Sequence, residues 1–110
     1  TVVKLLLNIA LAHRQLGNRA KAGENVDLAL QQARKRKLVI QEAEALRVLG
    51  VLRKDEGKLA EARTLFQQSL ALVRSTEIRG LEPEILTNLA QTEAEGGDDE
   101  TALKAIAEAI

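Results

Sequence analysis

The 110-residue chain has no cysteine, methionine, tryptophan or tyrosine, a single aromatic residue, Phe66, and a single proline, Pro83. Without cysteine there is no disulfide framework, no thiolate metal site and no cysteine nucleophile. That absence suits a reducing compartment, and the expected location is the cytoplasm. With one aromatic, the core must be built from Leu, Ile, Val and Ala, which suits close packing of small-faced helices. No apolar run approaches the ~18 residues of a membrane span, and no signal-peptide pattern opens the chain. The sequence starts at Thr1 and stops at Ile110 inside an apolar pattern, which reads as a piece of a longer protein. The length allows one domain with a modest core.

Net charge is zero, yet the halves differ. Residues 1–55 carry 11 Lys and Arg against 5 Asp and Glu, or +6; residues 56–110 carry 5 against 11, or −6. Either two solvated faces happen to differ, or the chain is a polar rod able to stack head to tail or to prefer an acidic partner at its N-terminal end.

What the chain does have is an internal period of forty residues. Leu6, Asn8, Ile9 and Ala10 fall over Leu46, Val48, Leu49 and Gly50, and over Leu86, Asn88, Leu89 and Ala90. Gly17, Gly57 and Gly97 coincide, as do Ala22, Ala62 and Ala102, then Val26, Phe66 and Ile106, then Ala29, Ser69 and Ala109, then Leu30, Leu70 and Ile110. A fixed period of this size is the signature of a stacked repeat, which works through a long surface and seldom through a few reactive atoms.

Between the glycines the apolar spacing is helical throughout: Leu6, Ile9, Ala10, His13 and Leu16 recur at three and four residues, as do Ala22, Val26, Ala29, Leu30 and Ala33. Turns are expected at Gly17-Asn18 and Gly96-Gly97-Asp98, with Asn18 and Asp98 as N-caps and Lys58 as a poor one. Pro83 fits the first turn of a helix. The pattern predicts an all-α chain of six helices near 2–16, 19–36, 40–56, 59–76, 83–96 and 99–110. They pair into hairpins that must stack to bury their apolar faces. The last helix, with no polar cap after it, is expected to leave an apolar outer face.

These columns resemble the tetratricopeptide repeat. In the middle unit they read Leu46, Leu49-Gly50, Gly57, Ala62, Phe66 and Ser69. Gly50, Ala10 and Ala90 let the paired helix come close, Ala22, Ala62 and Ala102 do so from the other side, and Val26, Phe66 and Ile106 fill the gap. The resemblance covers nearly the whole chain, with departures. The period is forty where thirty-four is usual, the column that usually holds Tyr reads His13, Arg53 and Glu93, and the usual closing Pro is missing. Long-helix variants of the family are similar, and often carry Asn where Asn8 and Asn88 stand; Val48 interrupts that ladder. The resemblance implies a right-handed superhelical α-solenoid of three helix-turn-helix repeats, about 3–42, 43–82 and 83–110.

Reactive constellations are sparse. His13, the only histidine, cannot form a two-histidine metal site and reads as a half-buried structural residue. Ser69 and Ser75 have no histidine in register for a triad. Glu93-Ala94-Glu95 and Asp98-Asp99-Glu100 lack the spacing of a calcium loop, and the second cluster suits a helix N-terminus. Gly96-Gly97 is not followed by the Lys-Ser/Thr of a phosphate loop. Arg34-Lys35-Arg36-Lys37 lies at a helix C-terminus, and no aromatics accompany it for base stacking. The expectation is no enzyme, no cofactor, no metal, no nucleic acid and no membrane.

The resemblance implies a protein-interaction scaffold that holds a peptide or helix of its partner against a concave wall made by the first helix of each hairpin. Projected onto this chain, the groove residues are Leu7, Asn8, Leu11, Arg14, Arg47, Val48, Val51, Lys54, Asn88 and Gln91, with Lys4, Glu84 and Glu95 beside them. The first two thirds of that wall would be basic and aliphatic, suited to apolar anchors with acidic flanks, and the last third acidic. The carboxylate clamp of some family members is not expected, because its places hold Leu7, Leu11, Val48 and Glu84. An alternative is a regulatory or self-association sensor segment of a larger bacterial signalling or transcription-regulator protein. Association of copies through the terminal helix 99–110 is expected on either reading.

Overall fold

The computed structural model describes residues 1–96. These form five α-helices: α1 (Val2–Gln15), α2 (Arg19–Lys35), α3 (Val39–Asp55), α4 (Leu59–Arg74) and α5 (Glu82–Glu95). They match the first five expected helices within about three residues. The sixth, at 99–110, lies outside the described residues, and so do Asp98 and its expected cap. The described fold is therefore two helical hairpins and one further helix.

Each helix packs on the next, most extensively within the hairpins α1–α2 and α3–α4. The first helices also touch one another, α1 against α3 and α3 against α5, whereas the backbones of α2 and α4 do not approach each other. First helices thus form an inner layer and second helices a splayed outer one. α3 is enclosed by all four other helices, and seven of its residues are buried, from Ala43 to Leu52.

Two apolar clusters run through the stack. One joins Val3, Leu7, Ala10, Val26, Leu30 and Ala33 to Ala45, Leu46, Val48 and Leu52. The other joins Val51, Phe66, Leu70 and Val73 to Ile85, Leu86 and Leu89. The expected close approach at Gly50 is present. A Cβ there would lie 2.6 Å from Cε1 and 2.9 Å from Cδ1 of Phe66, whose side chain is fully buried. Ser69, standing where the other units have Ala, donates from its buried hydroxyl to the carbonyl of Ala43 at 2.6 Å.

The turns have one backbone recipe, repeated every twenty residues. Asn18, Leu38 and Lys58 each donate their N–H five residues back, to the carbonyls of His13, Ala33 and Arg53, at 2.8–2.9 Å. This is the six-to-one bond of a Schellman motif. The residue before each is left-handed: Gly17 at φ +77°, Gly57 at +78° and Lys37 at +55°. The expected side-chain cap at Asn18 is not made. The turn holds Asn18, Leu38 and Lys58 alike at φ near −90° and ψ of 69–87°, so backbone bonds shape the joint and the side chain is not used. Thr1, by contrast, caps α1, its hydroxyl accepting from Lys4 N–H at 3.1 Å.

The joint between α4 and α5 is longer. There Arg79 donates to the carbonyls of Val73 (3.0 Å) and Thr76, and Thr76 donates to Val73 at 2.8 Å. Pro83 sits in the first turn of α5, as its missing N–H allows. Both hairpin-to-hairpin joints share an ion pair that also repeats at forty: Arg34 Nε to Glu42 at 3.2 Å, and Arg74 Nε to Glu82 at 3.1 Å.

Candidate functional site

The inner layer carries Arg14, Arg47, Lys54 and Asn88 of the projected groove residues, and polar contacts tie them to neighbouring first helices. Arg14 on α1 holds Asp55 at the end of α3 with two bonds, Nε to Oδ2 at 2.5 Å and Nη2 to Oδ1 at 3.1 Å. Arg47 on α3 donates to Oδ1 of Asn88 on α5 at 3.2 Å and lies 3.8 Å from Glu84. Lys54 reaches Glu95 at 3.5 Å. Three of these contacts join residues forty-one apart, one repeat plus one position. They work as rungs between successive first helices.

The rungs change the expected electrostatics of the wall. Its basic part was to attract acidic flanks, but of Lys4, Arg14, Arg47 and Lys54, only Lys4 is left without one of these carboxylates. The side chains of Arg47 and Lys54 are 14% and 15% exposed, laid down between the helices and not raised toward solvent. Arg47 Nε is buried without a hydrogen bond, since Glu84 is too distant to accept one. The bond to Asp55 raises the pKa of the half-buried Arg14 guanidinium above its ordinary value; burial opposes that shift and Coulomb attraction to the same carboxylate adds to it.

Three projected groove residues belong to the core instead. Leu7, Val48 and Val51 are 3%, 0% and 6% exposed. Leu7 packs into the cluster shared by α1, α2 and α3, and the enclosure of α3 on both sides buries Val48 and Val51. Leu11 is half-buried against the first cluster. Asn8 and Gln91 are exposed and Asn88 is half-buried, so these three, with Lys4, form the accessible polar part of the wall. Asp55, the acceptor for Arg14, went unread in the sequence. The signal for it is the offset of forty-one, at which Arg14, Arg47 and Lys54 all meet a polar or acidic residue.

The outer layer offers a different surface. Between α3 and α4, a concavity of about 450 Å³ is lined by Leu49 and Arg53 of α3 and by Glu61, Leu65 and Gln68 of α4. A second of about 320 Å³ continues from Gln68 past Leu46 and Leu72 to Arg34 and Glu42. Both have leucines in their lining and ion pairs at their rims, Arg53 with Glu61 in the first and Arg34 with Glu42 in the second.

His13 is half-buried, as expected, and its Nδ1 is buried without a partner. Among the described residues no group of three His, Cys, Asp or Glu is placed to hold a metal, and no helix is long and apolar enough to cross a membrane. The basic run ends α2 as expected, with Arg34 turned to Glu42.

The chain is similar to the tetratricopeptide-repeat domain of Arabidopsis FLU, with a TM-score of 0.89 at 24% identity over 98% of this chain and 91% of that one. It is also similar to BtubC (BKLC) from P. vanneervenii, with a TM-score of 0.84 at 19% identity over 97% of this chain and 44% of that one. Identities this low speak for the fold alone. No curated protein matches the sequence. The model of the tetratricopeptide repeat matches residues 1–75. With more than half of its length matched and its second hairpin closed by the Gly50–Phe66 contact, the chain belongs to the tetratricopeptide repeat family.

Proposed function

We propose that the chain is a protein-interaction scaffold of three stacked repeats in a right-handed solenoid, and that its inner wall receives an extended or helical segment of a partner. One observation carries this reading: α1, α3 and α5 stand side by side with Arg14, Arg47, Lys54 and Asn88 on one face, locked by rungs at forty-one residues. A wall so fixed needs little ordering when a ligand arrives, and preorganisation lowers the cost of binding. With Arg14, Arg47 and Lys54 already paired, the contacts open to a partner are amide and aliphatic: Asn8, Leu11, Asn88 and Gln91, with Lys4 at the entrance. Asn8 and Gln91 suit a partner's backbone, and Leu11 an apolar anchor. The absence of cysteine and of any reactive constellation in the sequence suits a non-enzymatic role in the cytoplasm.

The test is photo-cross-linking in the parent protein. A cross-linking residue at Asn8 or Gln91 on the inner wall should capture a common partner, and one at Gln68 in the outer furrow should not. Capture from Gln68 alone would move the binding surface to the convex side.

A further inference from the structure

The two outer concavities share Gln68 and so form one furrow, with Leu49 and Leu65 in its first half and Leu46 and Leu72 in its second. α2 borders only the second half, through Arg34. Seven and eleven residues before Arg34, on the same face of α2, stand Asp27 and Gly23. Gly23 falls in the column of Arg63, which meets Glu93 thirty residues on at 3.5 Å. Thirty residues after Gly23 comes Arg53, in the first half of the furrow, and Gly23 brings it no side chain. Arg53 pairs within its own hairpin instead, with Glu56 and Glu61. A Cβ at Gly23 would meet nothing within 4 Å.

We infer that this furrow receives an amphipathic helix of a partner protein, with apolar side chains seven residues apart seated at Leu65 and Leu72 and a lysine or arginine reaching Asp27. This is a second ligand on a second surface, and it does not depend on what the inner wall binds.

Three observations choose this occupant. The first is spacing. Leu65 and Leu72 are one in each half of the furrow, seven residues apart, which is about 10.5 Å along α4. In a helix laid along α4, positions i and i+7 have that same spacing. In an extended segment, side chains on one face recur at about 6.7 and 13.4 Å and miss it on both sides. The second is charge. Arg53 with Glu61 and Arg34 with Glu42 cancel at the rims, at 3.4 and 3.2 Å, so the leucines call for uncharged anchors. Asp27 is exposed and has no ion pair among the described residues, so the flank beside α2 calls for a cation. The third is Gly23. Glycine inside a helix is unfavourable, and its use is to let another backbone come close. Nothing in the described chain takes up that space.

The probe is a phage-displayed library of random peptides of about sixteen residues, long enough for four helical turns. It is selected on the immobilised full chain with an excess of the Gln68→Trp variant in solution, so that only peptides that need the furrow are recovered. Gln68 is exposed, so the indole fills the furrow without entering the core. Recovered peptides should carry Leu, Ile, Val or Phe at i, i+3 or i+4, and i+7, with Lys or Arg beside that stripe, and should gain helicity on binding. By fluorescence polarisation, Gln68→Trp should weaken them at least about tenfold, as overfilling a packed contact does. Asp27→Lys should weaken them about two- to fivefold, the scale of an exposed ion pair. If Gln68→Trp loses helicity by circular dichroism, Ala71→Arg, another exposed furrow position, replaces it. A selection that recovers no peptide able to tell wild type from the blocked variant would overturn the inference. So would recovered peptides whose apolar residues alternate, which would make the ligand an extended strand.

Discussion

Gly50 and Phe66 fix the distance between α3 and α4. With a Cβ at Gly50 only 2.6 Å from the Phe66 ring, Gly50→Ala forces the ring or the helix aside. Overpacking of this kind costs about 1–3 kcal/mol, more than the ~1 kcal/mol that Ala gains over Gly in a helix interior. Gly50→Ala should therefore lower Tm, and Gly50→Leu should lower it further. In a Phe66→Leu background the ring is gone and Gly50→Ala should raise Tm instead. A loss of the same size in both backgrounds would disprove the contact. At the other end of the inner layer, Arg14 lends itself to a pH test. Its raised pKa means that its contribution is complete below the ordinary arginine value and is lost only as pH climbs past the raised one. The Tm difference between wild type and Arg14→Met should thus stay constant from about pH 7 to 10. A difference that disappears over that range would mean the guanidinium is not what holds Asp55.

The helices themselves are legible in the sequence because their apolar spacing is locally complete. Pro83 and the glycine columns mark where they start and stop. The joint at Lys37 is not legible that way. A lysine carries no turn signal, and its φ of +55° is imposed by the Schellman bond from Leu38 to Ala33. A left-handed residue other than glycine costs about 1–2 kcal/mol, of which glycine's greater freedom in the unfolded chain returns part. Lys37→Gly should therefore stabilise the protein by about 1 kcal/mol, read as a higher denaturation midpoint with an unchanged slope. Gly57→Ala, by the same reasoning, should destabilise by a similar amount. If Lys37→Gly is neutral or destabilising, the joints do not share one geometry. The error at Asn18 has the same origin: composition suggests a side-chain cap, but the turn has already been settled by backbone bonds five residues back.

For the molecule as a whole, the repeat was readable and the wall only partly so. Projection by family column puts Leu7, Val48 and Val51 on the surface. Leu7 is covered by its own hairpin partner and α3; the other two are misplaced because a column pattern treats every unit alike. The stack does not: α3 has neighbours on both sides and α1 on one, so one column is buried as Val48 and exposed as Asn8. Substituting Val51→Glu would consequently collapse the core, costing several kcal/mol for a charge buried without a partner. Asn8→Ala and Gln91→Ala are the changes that should weaken a partner while leaving the melt within about 0.5 kcal/mol of wild type, as exposed sites do. A melt that falls as far for Gln91→Ala as for Val51→Glu would place Gln91 in the core.

The central claim is that α1, α3 and α5 form one continuous wall held by rungs at forty-one residues, and the rung between Arg14 and Asp55 tests it most directly. The measurement is a thermal double-mutant cycle at low salt with Arg14→Asp, Asp55→Arg and the exchanged pair. Each single change places like charges together and should lower stability, and the exchange should restore most of the loss. A coupling of about 1 kcal/mol is predicted for a half-exposed pair of this kind. Strictly additive losses, with no recovery in the exchanged pair, would mean that α1 and α3 are not in this register and that the wall is not continuous.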